Sequence, residues 1–144
     1  MAEVSPERQQ DVELVRRGLD AFNRGGAEEL FALFDPEIEL YLPPDLPNAT
    51  HTRGLQEYQA WLDRWLEAWD DFQVSADRVE VAGDRHVVMW AHQSGKGKAS
   101  GIPVEMDLAY LWEVRDGKVA AHHLYPSWEQ AVEAAERRER EAAA

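Results

Sequence analysis

Three residues in this chain combine a suitable type with a suitable setting for acid–base chemistry: Asp107, His122 and His92. Asp107 interrupts the apolar run "VEMDLAYLW". A carboxylate facing a dry pocket from such a run has its pKa raised by desolvation, which suits a general acid or base. His122 and His123 stand side by side in "KVAAHHLY". Neighbours on a strand point to opposite faces, so the two cannot share a proton or a metal ion unless the strand is bulged. His92 lies two residues from Trp90 and two from Ser94. If Trp90 and His92 face inward, His92 approaches Asp107 or Glu105; the competing parity puts Met89, Ala91 and Gln93 inside. Each group also has a structural reading. Asp107 could be solvated or ion-paired at a strand end, and His122 could be a core histidine bonded to backbone or to a tyrosine.

Other chemistries find little support. There are no cysteines, so thiolate nucleophiles, disulfides and zinc–sulfur sites are excluded. No His-x-x-x-His or carboxylate cluster stands at ligand spacing, so no metal is expected, and no Gly-rich loop joins a strand to a helix to cradle a cofactor phosphate. A formal charge of −13 argues against nucleic acid and against an anionic membrane surface. No apolar run reaches the roughly 18–20 residues of a membrane helix, and the polar N-terminus lacks a signal peptide's pattern. The expectation is a cytoplasmic protein folded as one domain over residues 1–144, with about 1–4 and 138–144 frayed.

The elements that position these groups can be read from spacing. Ser5-Pro6 starts a helix carrying Val12, Val15, Leu19 and Phe22, ended by Gly25-Gly26. "AEELFALF" is a short helix stopped by Asp35-Pro36, "EIELYL" alternates as a strand, and "PPDLPNATHTRG" reads as a loop. In "GLQEYQAWLDRWLEAWD", Leu55, Tyr58, Leu62, Trp65, Leu66 and Trp69 share one helical face. Four antiparallel strands follow, and Ser127-Trp128-Glu129-Gln130 opens a terminal helix with a capping box. The class is α+β, with helices on one face of a curved sheet.

Asp116-Gly117 predicts a two-residue hairpin turn that sets Arg115 against Lys118. Leu111 then lies opposite His122. One face carries Asp107, Ala109, Leu111, Glu113, Ala120, His122 and Leu124; the other carries Met106, Leu108, Tyr110, Trp112, Ala121, His123 and Tyr125. Hydrophobicity alone picks the second face as the core.

The layout resembles the SnoaL-like branch of the nuclear transport factor 2-like superfamily, which includes ketosteroid isomerases and polyketide cyclases. The resemblance rests on "GLQEYQAWLDRWLEAWDDF", "AGDRHVVMW", "GKGKASGIPVE", "LWEVRDGKVAAHHLY" and "SWEQAVEAA". It implies a cone: a strongly curved antiparallel sheet closed by the N-terminal and central helices around an apolar pocket, with a C-terminal helix. It also implies a homodimer through the convex sheet face, burying Tyr110, Trp112, His123 and Tyr125, and puts Asp107, Leu111 and His122 in the pocket. On that basis the expected function is cofactor-independent isomerisation, cyclisation or dehydration of a hydrophobic, ring-containing small molecule. Asp107 is the expected acid/base, partnered by His122 or His92. Tyr58, Leu62, Trp65, Trp90, Leu111 and Leu124 are expected to line the pocket. The alternative is a binding or dimerisation domain without chemistry.

Overall fold

The computed structural model describes residues 5–46 and 49–143; residues 1–4 and 144, expected to fray, and residues 47 and 48 of the proline-rich loop lie outside them. Helix α1 (Pro6–Asn23) begins where Ser5 Oγ accepts the Arg8 N–H at 3.3 Å, with proline at its first turn, where no N–H is needed. Helix α2 (Ala27–Ala32) follows. It ends sooner than its sequence suggests, because Phe34 already belongs to strand β1 (Phe34–Leu42). Pro36 lacks a ladder donor, and the strand accommodates it with a register shift between Phe34 and Glu39.

The loop read between residues 43 and 54 contains a short strand, β2 (Thr50–Arg53), which pairs Arg53 with Glu39 on the outer edge of β1. Helix α3 (Leu55–Glu67) leads into β3 (Trp69–Ala82), β4 (His86–Gly97), β5 (Pro103–Arg115), β6 (Lys118–Tyr125) and helix α4 (Trp128–Ala143). The strands lie in the order β2-β1-β6-β5-β4-β3 in one curled, unclosed sheet. Every pairing is antiparallel except β1 with β6, which is parallel. A parallel neighbour needs a long crossover, and here β2, α3, β3, β4 and β5 all lie between the two strands.

Helices α1, α2 and α3 cover the inner face of the sheet, where the larger core gathers around Ile38, Leu40, Tyr58, Met89 and Trp112. Helix α4 does not join them. Its small face, Ala131, Ala134 and Ala135, packs on the outer side against Val88, Ala109 and Leu111. Ser127 caps α4, accepting the Gln130 N–H and donating its hydroxyl to Gln130 Oε1. The charged end of α4 is tied down: Arg138 reaches Glu113 at 2.6 Å, Glu39 at 3.3 Å and His86 at 3.1 Å. Among the described residues no helix is long and apolar enough to cross a membrane.

The hairpin turn forms as expected, with positive φ at both Asp116 (53°) and Gly117 (74°), and Arg115 opposes Lys118. The register does not stay there. A bulge after Val119 sets Glu113 against Ala121, so Trp112, not Leu111, opposes His122. One extra residue exchanges which face of β5 travels with which face of β6.

Candidate active site

Between the inner face of the sheet and helices α1–α3 lies a cavity of about 310 Å³. Leu14, Val15, Gly18, Leu19 and Phe22 of α1 form one wall, and Tyr58, Trp61, Leu62 and Trp65 of α3 form another. The floor is Met106, Leu108, Tyr110 and Trp112 of β5 with His122 and Leu124 of β6 and Gln93 of β4. No Asp, Glu, Lys or Arg is among the described residues that line it. The lining is therefore apolar and aromatic, with a few polar groups set into it, the usual make-up of a small-molecule pocket.

The polar groups fall into two sets. His122, 4% exposed, stacks on Trp112 with ring centroids 4.0 Å apart and planes 10° from parallel. Its Nδ1 lies 2.9 Å from the Tyr58 hydroxyl. Burial, reinforced by the neighbouring His123, pushes the His122 pKa down to about 3, so the ring is neutral at physiological pH. Burial holds the Tyr58 hydroxyl well above its ordinary range, so it remains a donor. Neither His122 Nε2 nor Trp112 Nε1 has a hydrogen-bond partner. The tautomer follows from counting. If Tyr58 O–H donates to Nδ1, the imidazole proton sits on Nε2, and the ring offers one free N–H beside that of Trp112. The reverse arrangement would leave both the Tyr58 hydrogen and a bare Nε2 without partners, at greater cost.

In the second set, Gln93 donates from Nε2 to the Tyr110 hydroxyl oxygen, and Gln93 Oε1 is buried without a partner. Burial, opposed by the bond from Gln93, holds the Tyr110 hydroxyl above its ordinary range.

Of the residues singled out by sequence, Tyr58, Leu62, Trp65, His122 and Leu124 line this cavity. Asp107, His92, Trp90 and Leu111 do not. Leu111 is on the outer face under α4, and Trp90 packs against the same cluster. His92 and Asp107 are directly paired across β4 and β5, as one reading required, with Nδ1 to Oδ1 at 2.7 Å. They lie on the outer face, however. The Asp107 side chain is 48% exposed, and Glu105 takes the other imidazole nitrogen at 3.0 Å. Their contact raises the His92 pKa, first through Asp107 and then Glu105. An exposed carboxylate lacks the desolvation that the acid–base assignment needed. The β4 parity is the competing one, with Gln93 inside opposite Met106.

The expected dimer patch is also divided. Tyr110 and Trp112 face the cavity, opposite to the parity the family resemblance implied, and the bulge is what puts His122 on the same side. His123 and Tyr125 are on the outer face, where the chain's own residues cover them: His123 Nε2 bonds Glu39 Oε1 at 2.9 Å and Tyr125 packs in the α4 cluster. That face carries the charged network of the molecule. The His123 bond and that from His51 hold Glu39 well below the usual carboxylate range, against its partial burial. Burial lowers the pKa of both His86 and His123 despite their carboxylate partners. Tyr110 and Trp112 are site residues that the sequence reading placed on the convex side, and Gln93 was inside only in its competing β4 parity. The signal for Tyr110 and Trp112 was the bulkier face of the hairpin, which hydrophobicity had favoured; Gln93 followed from the competing parity of β4.

Similarity to known proteins follows the fold. Residues 15–122 match the profile of the SnoaL-like domain. A protein from Jannaschia sp. CCS1 named as a SnoaL-like polyketide cyclase superposes with a TM-score of 0.76 at 22% identity, over 94% of this chain and 96% of that one. A protein of ketosteroid isomerase-like fold from Catenulispora acidiphila, solved with trimethylamine, gives 0.69 at 21% identity, over 81% and 86%. TerC, co-crystallised with polyporic acid, gives 0.71 at 16% identity, over 88% and 98%. No curated protein matches the sequence. With most of its length matched, the chain belongs to the SnoaL-like domain family.

Proposed function

We propose that this chain binds an uncharged, hydrophobic, ring-containing small molecule in the inner cavity, with a carbonyl oxygen of that molecule set against His122 Nε2 and Trp112 Nε1. One observation carries the reading: two unpartnered N–H donors on stacked rings, buried in a lining whose described residues include no charged side chain. A carbonyl oxygen has two lone pairs and complements two donors. A carboxylate is a poorer occupant, because no described lining residue carries the positive charge it would need.

Isomerase, cyclase or dehydratase chemistry is the second reading, and a specific feature favours it. A neutral imidazole donating from Nε2 can polarise a carbonyl and stabilise negative charge developing on its oxygen. It is not suited to be the base. A conjugate acid near 3 is far from the operating pH, so His122 removes a proton from carbon poorly. Catalysis in this cavity is therefore electrophilic, acting on substrates that need activation of the carbonyl more than a strong base.

Titration of tetralone against intrinsic tryptophan fluorescence tests the binding reading, since Trp61, Trp65 and Trp112 all line the cavity. Saturable quenching is expected, weakened by roughly five- to twentyfold in His122→Phe as a buried hydrogen bond is lost. Unchanged fluorescence and an unchanged melting temperature would contradict it. Exchange of the tetralone α-hydrogens with deuterated solvent, solvent water taking the proton from carbon while His122 steadies the enolate oxygen, separates the second reading when followed by NMR. Acceleration over buffer that disappears in His122→Phe supports chemistry, whereas no acceleration leaves binding as the function.

A further inference from the structure

The cavity has a second polar feature that the carbonyl contact does not use. Gln93 and Tyr110 are 4% and 7% exposed, and both line the cavity. Gln93 stands opposite Met106, six residues along β5 from Trp112. Tyr110 bridges the distance: its ring centroid is 4.7 Å from that of His122, while its hydroxyl meets the Gln93 amide. As bonded, the pair leaves Gln93 Oε1 as a free acceptor, with the Tyr110 hydroxyl hydrogen and the second Gln93 amide hydrogen as donors. Turning the amide over exchanges the roles and changes nothing else. Tyr110 would then donate to Gln93 Oε1, leaving an amide N–H and a hydroxyl lone pair. In either orientation the pair presents at least one donor and one acceptor, buried side by side.

The group that complements one donor and one acceptor at a single point is a hydroxyl. A carbonyl satisfies only the donor, and an apolar group satisfies neither. A ligand that displaces water from such atoms without replacing its bonds loses affinity. Building on the binding function proposed above, we infer that Gln93 and Tyr110 form a second anchor that selects a hydroxyl on the bound molecule, away from the carbonyl held at His122. The occupant is then an uncharged hydroxylated ring ketone. Neither a plain hydrocarbon nor a carboxylic acid meets both anchors.

Four probes test this by calorimetric titration: tetralin, tetralone, hydroxytetralone with its hydroxyl on the aromatic ring, and naphthoate. The expected order of affinity is hydroxytetralone, tetralone, tetralin, with naphthoate weakest. The hydroxyl is expected to tighten binding by roughly five- to tenfold, as one well-made buried hydrogen bond does. In Gln93→Leu, of similar volume, that gain vanishes, so the ratio of hydroxytetralone to tetralone affinity falls to about one. Tyr110→Phe keeps the ring and its packing, serves as the second variant, and shrinks the gain in the same way. Equal affinity of tetralone and hydroxytetralone for the wild type overturns the second anchor and leaves the carbonyl site standing. So does a gain that persists in both variants. Failure of all four probes to bind overturns the binding function and this inference together.

Discussion

Holding His122 neutral has a consequence for stability that can be worked through. The folded pKa is about 3, against 6.5 for a free histidine. Below pH 6.5 the unfolded chain takes up a proton that the folded chain refuses, so stability falls with pH from 6.5 down to about 3. For this one residue the loss between pH 7.5 and 5.5 is about 1.4 kcal/mol, growing to about 2.7 kcal/mol at pH 4.5. His86 and His123, whose pKa values burial also lowers, act in the same direction. Glu39 and Glu139, held low by their histidine partners, add to the loss as pH falls below 4.5. His92 is raised and opposes them, but its imidazole is exposed to solvent. Urea unfolding at pH 7.5 and 5.5, on the wild type and on His122→Phe, isolates the His122 contribution. The variant is less stable at pH 7.5, since Tyr58 loses its partner, but it loses about 1.4 kcal/mol less on acidification. An equal acid loss in both proteins refutes the reasoning. So does a His122 ring resonance that titrates near 6.5.

Asp107→Asn leaves tetralone affinity unchanged, because Asp107 is on the outer face, and lowers the His92 pKa by removing its strongest partner; histidine NMR reads the second effect. Arg138→Met destabilises the fold by about 2–4 kcal/mol in urea unfolding, since Glu113, 7% exposed, loses its partner at 2.6 Å. Gly18→Ala stabilises by about 0.5–1 kcal/mol, because Gly18 sits within α1 and a methyl group there meets Leu30 at an ordinary 3.5 Å. The same methyl narrows the cavity that Gly18 lines, so tetralone affinity falls as the melting temperature rises.

Elements with strong local signals could be read directly. The Ser5-Pro6 start, the amphipathic face of α3, the Asp116-Gly117 turn and the Ser127 cap each depend on residues within one turn of one another. That local reading put Tyr58, Leu62 and Trp65 on one helical face, and all three line the cavity. What failed was non-local. The hairpin turn was right, yet a single bulge after Val119 moved the register by one, so that Trp112 and not Leu111 shares a face with His122. No residue in "GKVAAHH" announces that bulge, because Ala120 and Ala121 are equally small and either face accepts them. His122 reached the cavity although its assumed neighbours were wrong. For β5, the bulkier face was the inner one, as hydrophobicity indicated and the family analogy did not. The position of α4 was equally hidden, since an alanine face packs on either side of a sheet. Its long-range partners Glu39, Glu113 and His86 are what hold it on the outer side.

The central claim is that a ligand carbonyl sits against His122 and Trp112 inside the cavity. Infrared difference spectroscopy of tetralone bound to the wild type and to His122→Phe tests it most directly. Hydrogen bonding weakens the C=O bond, so the stretch of the bound ketone is expected below its position in hexane, with part of that shift lost in the variant. A bound ketone whose stretch matches hexane, or one that shifts equally in both proteins, would contradict the account.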